Sequence, residues 1–249
     1  MVWYEWRTQE YIDSMFARVF RGLLDALPSQ CMVCHAWPGQ SLCEACVSRF
    51  AQPQPRCRTC ALMLPSGVAQ CGECVAKAPP LDACLAAVSY AYPWSHLILG
   101  YKFHEHPGRA GAFALLLRST PWVEPALEAA DAVLPMPLSV ERLRTRGFNQ
   151  ALLLARELAP EKTDSRLLLR IQDTPAQSTQ NRKQRLASLH DAFAVDPLRV
   201  QQVRGKRLVL VDDVMTSGAT LYAAAQVLRA AGAAHITGLV ISRTEQDQH

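Results

Sequence analysis

Short apolar segments alternate with amphipathic segments along most of the chain. An alternating stretch rich in Ala, Val and Tyr predicts a β-strand at residues 84–92. Apolar runs predict further strands at residues 132–134, 167–171, 203–211 and 235–242. Helical periodicity predicts helices at residues 95–103, 108–118, 122–130 and 217–231, and in the segment 142–159, which begins as a basic loop. Strands that alternate with helices imply a parallel sheet covered on both faces. The predicted fold class is therefore α/β, a parallel sheet flanked by helices.

An amphipathic helix is predicted before the first cysteine. Apolar residues recur at three- and four-residue steps from Tyr11 to Leu27, and Pro28 ends the pattern. Packing on the protein's own body is the first interpretation, and contact with a partner or a membrane surface is the alternative. With the linker Ala78-Pro79-Pro80, the patterns predict three parts: the helix at 1–28, a cysteine-rich module at 29–78 and the α/β domain at 82–245.

Composition adds a cellular setting to this picture. Hydrophobic residues make up 49% of the chain, enough for a sizeable core, and the net charge of +4 does not by itself indicate a nucleic-acid partner. No run of apolar residues is long enough to span a membrane, and the N-terminus carries acidic residues where a signal peptide would be apolar. We therefore expect a cytoplasmic protein without membrane insertion, whose thiols are reduced.

Eight of the nine cysteines form four Cys-x-x-Cys pairs within a short segment. Two thiolates separated by two residues can wrap one tetrahedral Zn²⁺, so four pairs supply two closed, structural sites. Disulfides or redox pairs are the competing interpretation, which the reducing setting disfavours. We choose a sequential arrangement, in which the first two pairs share one zinc and the last two share the other. Because ten residues separate Cys46 from Cys57, as they separate Cys60 from Cys71, an interleaved arrangement stays open. The predicted ligands are Cys31, Cys34, Cys43 and Cys46 for one zinc and Cys57, Cys60, Cys71 and Cys74 for the other.

The most informative segment is VLVDDVMTSGAT, residues 209–220. An apolar strand ends at Asp212 and Asp213, and a turn of small residues then leads into a helix. Backbone N–H groups of such a turn, with the helix dipole, favour an anion such as phosphate. The two carboxylates would repel phosphate and suit sugar hydroxyls or an accompanying metal ion. The segment therefore indicates a sugar-phosphate site, whose remaining members are Thr216, Ser217, Gly218, Ala219 and Thr220.

Other phosphate motifs are absent from the sequence. No G-x-x-x-x-G-K-[ST] run occurs, and no G-x-G-x-x-G fingerprint follows a predicted strand. The competing interpretation of residues 209–220 is an acidic strand end followed by a capped helix that binds nothing. The hydroxyl-rich turn makes ligand binding the better explanation.

Basic residues form a second group of candidates. Arg142, Arg144 and Arg146 follow the strand at 132–134, where they could bind pyrophosphate or a nucleic-acid backbone. The polar loop at 177–185 adds three more cations that could close over a charged ligand. For both groups, an ordinary solvated surface is the alternative.

These motifs resemble those of a known family. Residues 209–220 resemble the signature of type I phosphoribosyltransferases, which bind phosphoribosyl pyrophosphate (PRPP). The four cysteine pairs, YKF, PMPLSVERLRTRGFNQ and this signature occur in an order that resembles the ComF family, with its GntX-like members. The resemblance covers about residues 30–243 and implies a type I phosphoribosyltransferase-like domain, at 82–245, after a double zinc ribbon. It also implies a link to DNA taken up in natural competence.

The resemblance assigns roles to individual residues. It implies that Asp212 and Asp213 hold the ribose hydroxyls, that the turn from Thr216 to Thr220 holds the 5′-phosphate, and that Mg²⁺ accompanies PRPP. The loop at 135–138, with Arg146 or Lys102, would face the pyrophosphate. The implied activity is a phosphoribosyl transfer, in the glycosyltransferase class, with an acceptor that the sequence does not name. The alternative is a non-catalytic factor for single-stranded DNA or a competence helicase, whose PRPP-like pocket is regulatory or vestigial.

Overall fold

The structure is a computed structural model that describes residues 29–103, 107–172 and 192–245. The chain forms two compact units, Met1–Arg49 and Phe50–His249, so the third and fourth cysteine pairs belong to the unit that contains the sheet. The predicted N-terminal helix and the basic loop at 177–185 lie outside the described residues. The three-part division at residues 28, 78 and 82 stays a prediction.

The described part of the first unit is a small ribbon built on turns. Ser29 and Gly39 form an antiparallel bridge, with the Ser29 N–H donating to Gly39 at 2.9 Å and the Gly39 N–H donating back at 2.8 Å. Helix α1 (Glu44–Phe50) begins directly after Cys43 and contains Cys46. The bridge encloses the first cysteine pair and the helix carries Cys46, so the first four cysteines lie on one short segment of backbone.

Four parallel strands form the main sheet of the second unit. They are β1 (Ala83–Ser89), β2 (Ala132–Pro135), β5 (Arg207–Met215) and β6 (His235–Arg243), in the spatial order β1-β6-β5-β2. The α-helices among the described residues of this unit are α2 (Gly72–Ala76), α3 (Trp94–Phe103), α4 (Arg109–Arg118), α5 (Val123–Ala129), α6 (Val140–Arg146), α7 (Gln150–Leu158) and α8 (Ala219–Ala230). This arrangement confirms the α/β fold with a parallel sheet flanked by helices.

The two central strands bring apolar side chains to both faces of the sheet. Every residue of β6 after His235 is buried, as expected for a central strand covered on both faces. In β5, Leu208 and Leu210 join the core cluster that contains Leu221 and Leu228 of α8. Because side chains alternate along a strand, the intervening residues of β5 point to the opposite face.

Three segments differ from the sequence prediction. The strand predicted at 203–211 runs instead from Arg207 to Met215, because β6 is equally long and pairs with it up to Met215 and Arg243. The predicted basic loop at 142–146 is helix α6, capped at its start by the Ser139 hydroxyl, which accepts from the Arg142 N–H at 3.3 Å. The strand predicted at 167–171 exists as β3 (Leu168–Arg170), but it pairs antiparallel with β4 (Phe193–Val195), outside the parallel sheet.

None of the described helices is long and apolar enough to cross a membrane.

Candidate functional site

Strand β5 carries both signature carboxylates close to its carboxyl end. Asp213 is 3% exposed, and its Oδ1 atom lies 3.0 Å from Nζ of Lys102, in the last turn of helix α3. The other oxygen, Oδ2, is buried and has no hydrogen-bond partner among the described residues. A buried carboxylate with one unpaired oxygen is costly unless another group completes its bonding. The unpaired Oδ2 atom therefore fits a ligand hydroxyl, from which it would accept a hydrogen bond, or a metal ion.

Asp212 has a different environment from its neighbour. Its Oδ1 atom accepts a hydrogen bond from the Asp213 N–H at 2.9 Å. Burial and, next, the negative charge of Asp213 raise the pKa of Asp212 to about 7, and Lys102 opposes the rise. Two adjacent carboxyl groups that share one cation cannot both ionise easily. The pair is therefore suited to a ligand that brings hydroxyl donors or a further cation.

The phosphate-binding candidate is the turn that joins β5 to α8. Thr216 and Ser217 are exposed, whereas Gly218 is buried and has φ of +79° at the N-cap of α8. Because the N-cap residue is a glycine, it offers no side-chain acceptor to the first N–H groups of this twelve-residue helix, which point to the turn. The Ser217 hydroxyl accepts from the Ala219 N–H at 3.4 Å. This end of α8 has the geometry of an anion site.

Gly218 cannot be replaced without strain. A Cβ atom at this position would lie 2.5 Å from Cε of Met215 and 2.7 Å from the Tyr222 ring. The positive φ adds a backbone conformation that other residues rarely adopt. Met215 and Tyr222 therefore leave no room for a side chain at this position of the turn.

The RGFNQ motif shapes the loop on the neighbouring strand end. Gly147, with φ of +76°, ends α6, and Asn149 caps α7 by accepting from the Leu152 N–H at 3.2 Å. The Asn149 amide also donates to the carbonyl of Met136 at 3.1 Å, which holds the loop after β2. The motif thus reverses the chain between two helices and fixes the loop beside the carboxylates.

Arg146, the last residue of α6, is close enough to the carboxylates for their charges to act on it. Its guanidinium group lies 4.8 Å from the centre of the Phe103 ring. Burial lowers the pKa of Arg146, and the charges of Asp213 and Asp212 oppose that change. Arg146 and Lys102 therefore place two cations near the carboxylates. Arg142 and Arg144 belong to the same helix, none of whose residues is buried.

The cysteines form two groups of four, each of which fits a metal ion. The sulfur atoms of each group lie within 4.8 Å of one another. The first group is Cys31, Cys34, Cys43 and Cys46, and the second is Cys57, Cys60, Cys71 and Cys74. No disulfide joins them. Sequential grouping of this kind supplies two tetrahedral sulfur sites compatible with zinc.

One sulfur in each group is already favoured as a thiolate. Burial opposes ionisation of Cys31, but backbone N–H groups, including that of Cys43 at 3.5 Å, lower its pKa to about 6. Burial likewise opposes ionisation of Cys57, and the N–H of Cys71 at 3.4 Å helps to lower its pKa to about 6. Burial raises the pKa of Cys60 to about 11. A cation is what allows four such sulfurs to ionise together.

The second cysteine group is part of the core of its unit. All four of its cysteines belong to the core cluster that includes Met215 and Leu221, at the two ends of the phosphate turn. Cys84, the ninth cysteine, is 2% exposed, and its sulfur lies 3.5 Å from the sulfur of Met215. The sequence did not indicate this proximity between the ribbon and the turn.

The structure brings some predicted residues together and leaves others apart. Lys102, Arg146 and the two carboxylates form one charged group, and the turn follows directly on the same strand. Sequence reasoning did not identify Arg243, which contacts the turn from the end of β6. A charged residue that ends an apolar strand was the only available signal for it.

Comparisons with known proteins agree with this geometry. Residues 143–248 match the model of the family described as phosphoribosyl transferase domain. The chain is 31% identical to DNA utilization protein YhgH of Salmonella typhimurium over 88% of this chain and 98% of that protein. It is 30% identical to competence protein F of Haemophilus influenzae over 78% of this chain and 87% of that protein. It is also 34% identical to competence protein ComFC of Bacillus subtilis over 45% of this chain and 44% of that protein.

We predict that Asp212 makes stability depend on pH. An unfolded aspartate titrates near 3.8, so between that pH and about 7 the folded protein holds more protons than the unfolded chain. Stability should therefore fall as pH rises through this window. Asp212→Asn should raise the melting temperature at pH 8, by roughly 2–4 °C for each kcal/mol recovered, and should change it little at pH 4.

The control for this experiment is Asp131→Asn. The N–H of Arg207, at the opposite end of β5, and the Lys206 side chain lower the pKa of Asp131. The Asp131→Asn protein should therefore be less stable than the wild type at pH 8, whereas Asp212→Asn should be more stable. An Asp212→Asn protein that is no more stable than the wild type at pH 8 would contradict the assigned environment.

We predict different consequences when each cysteine group loses a ligand. Cys43→Ser and Cys74→Ser should each lower the zinc content by one ion per chain, measured by atomic absorption. Only Cys74→Ser should lower the melting temperature of the larger unit, because Cys74 lies in its core and Cys43 lies in the other unit. Equal losses of stability in the two variants would contradict this distinction.

Proposed function

The chain belongs to the ComF/GntX-like family of proteins with a phosphoribosyltransferase domain, and on that premise we propose that it binds PRPP together with Mg²⁺. The observation that carries the proposal is the ion pair between Lys102 of α3 and Asp213, which lies on the strand that leads into the phosphate turn. The strand end supplies oxygen acceptors for hydroxyl groups. The turn supplies backbone donors for a phosphate.

Each part of PRPP has a matching set of residues. The 5′-phosphate would bind the N–H groups and hydroxyls of the turn, namely Thr216, Ser217, Gly218, Ala219 and Thr220. The ribose hydroxyls would donate to Asp212 and Asp213, where the unpaired Oδ2 atom of Asp213 supports the assignment. Lys102 and Arg146 would face the pyrophosphate, since both lie near the carboxylates. Mg²⁺ would add positive charge where pyrophosphate and ribose oxygens meet.

The same residues support a phosphoribosyl transfer. A bond would form between C1′ and the acceptor while the bond between C1′ and the pyrophosphate oxygen breaks. Negative charge would grow on the leaving group, where Lys102 and Arg146 stabilise it, and positive charge would grow on the ribose, where the carboxylates do so. The acceptor must also lose a proton. We propose that it passes to Asp212, whose pKa burial and Asp213 raise to about 7, close to neutral pH.

The relatives suggest the setting of this reaction. Two of them are named for DNA utilization and for competence. We therefore place the proposed activity in the cytoplasm, in the uptake or processing of DNA. The acceptor would be a nucleic acid or a compound derived from it.

Calorimetric titration with Mg²⁺ and PRPP tests the donor site. We expect binding that requires Mg²⁺ and that weakens roughly tenfold or more in Asp213→Asn, the loss of about one charged hydrogen bond. The matched control is Asp131→Asn, which makes the same charge change at the opposite end of β5, where Asp131 accepts from the Arg207 N–H. Unchanged affinity in Asp213→Asn, or equal losses in both variants, would contradict the assignment.

A second candidate function is binding of single-stranded DNA without catalysis, with or without a helicase partner. The observation that favours it is the exposed surface of α6, where Val140 is 62% and Leu143 is 45% exposed beside Arg142 and Arg144. The Phe103 ring, 58% exposed, lies next to this helix under Arg146. Cations around an exposed aromatic ring are suited to a flexible strand of bases and phosphates.

Fluorescence anisotropy with a labelled single-stranded oligonucleotide tests this candidate. If α6 binds the strand, the double variant Arg142→Ala/Arg144→Ala should reduce the salt slope of the binding constant by about 1.4, from two lost phosphate contacts. Arg156→Ala/Arg204→Ala removes the same charge from exposed positions elsewhere and should leave the slope unchanged. Absence of binding, or equal changes in the two double variants, would reject α6 as the interface.

A further inference from the structure

Arg243 connects the second cysteine group to the phosphate turn. It is the last residue of β6 and is 3% exposed. Its Nε atom donates to the carbonyl of Cys60 at 2.9 Å, and its Nη1 atom donates to the carbonyl of Met215 at 3.2 Å. Nη1 also donates to the carbonyls of Thr216 and Thr244. One buried side chain therefore joins a cysteine knuckle, the end of β5 and the first residue of the turn.

Strand pairing accounts for the position of Arg243. Met215 pairs with Arg243 in the last register step between β5 and β6, and the Thr244 N–H donates to the Met215 carbonyl at 3.0 Å. The hydrogen bonds described for the guanidinium group all lead to backbone carbonyls. A buried guanidinium group needs such acceptors, and in return it fixes the peptide groups that supply them.

Fixing one carbonyl of the turn also fixes the N–H group of the same peptide. The peptide bond is planar and trans, so the carbonyl of Thr216 and the N–H of Ser217 point in opposite directions. Because the Thr216 carbonyl is turned toward Arg243, the Ser217 N–H is turned away from Arg243 and from the cysteine knuckle. A turn whose successive N–H groups are held in one direction forms a concave site for an anion.

We propose that Arg243 is a positioning residue for the 5′-phosphate subsite, and that the second cysteine ribbon, Cys57–Cys74, is the anchor that holds it. The inference rests on the proposed PRPP site and deepens it. The ribbon then contributes to phosphate affinity through the backbone of the turn and not through contact with the ligand. It also gives a reason for the ribbon to be built into the core of the same unit.

Arg56 offers a matched control for this role. It joins the same ribbon to the end of the sheet, with Nη1 donating to the Ala61 carbonyl at 3.0 Å and to Glu245 at 3.1 Å, and Nη2 donating to the Ser89 hydroxyl at 2.9 Å. None of these partners belongs to the turn. Loss of Arg56 therefore removes one tie between the ribbon and the sheet and leaves in place the contacts of Arg243 with the Cys60 and Thr216 carbonyls.

The experiment compares Arg243→Met, Arg243→Lys and Arg56→Met in the full, zinc-loaded chain. Hydrogen exchange of peptides that cover residues 213–222 reports on the turn, and calorimetry gives the affinity for Mg²⁺ and PRPP. We expect faster exchange in this segment and roughly tenfold weaker PRPP binding in Arg243→Met, with intermediate values in Arg243→Lys. Arg56→Met should keep the wild-type affinity for PRPP and the wild-type hydrogen exchange of the turn, even if its melting temperature falls as much as that of Arg243→Met.

The outcomes separate this inference from the proposed function. A folded Arg243→Met protein with wild-type exchange in 213–222 overturns the positioning role, and so does an Arg56→Met protein with the same loss of affinity. If Arg243→Met does not fold, the same criteria apply to Arg243→Lys, which keeps the charge and loses the fork of donors. If the wild type binds no PRPP, the proposed function fails, and the exchange of 213–222 alone decides the positioning role.

Discussion

The parallel pairing of β5 with β6 is the interaction on which the rest of the structure depends. It runs from Arg207 and His235 to Met215 and Arg243, the full length of both strands. This pairing carries β5 past the point at which its apolar run ends and holds two carboxylates in extended backbone. The pairing also positions the turn at the carboxyl end of β5 and places Arg243 in contact with it. A shorter pairing would leave the carboxylates in a loop, without the burial that distinguishes them from ordinary surface aspartates.

The two cysteine groups have different relations to this sheet. The first belongs to a small unit of its own, whereas the second lies in the core cluster of the sheet unit, beside Met215 and Tyr222. The second ribbon is thus a structural element of the unit that contains the phosphoribosyltransferase-like sheet. Its contact with the turn through Arg243 gives the ribbon a physical path of influence on ligand binding.

Local patterns were sufficient to predict the fold class, the cysteine pairs and the signature segment. Apolar periodicity predicted the strands and helices, because burial on both faces leaves a clear trace in sequence. Periodicity could not show which residues far apart in the sequence contact each other in the fold. The antiparallel partner of Leu168–Arg170, the ion pair between Lys102 and Asp213, and the bonds of Arg243 all join residues far apart in the chain. Helix α6 was mistaken for a loop because charge outweighs apolar periodicity in it, although Ser139 and Gly147 were readable as its caps.

The most direct test of the account is a crystal structure of the zinc-loaded protein with Mg²⁺ and PRPP. The account predicts the 5′-phosphate on the backbone N–H groups of residues 217–220, the ribose hydroxyls on Asp212 and Asp213, and the pyrophosphate toward Lys102 and Arg146. The Thr216 carbonyl should still accept from Arg243. A ligand bound elsewhere, or bound in the reverse direction with its pyrophosphate in the turn, would contradict the central claim.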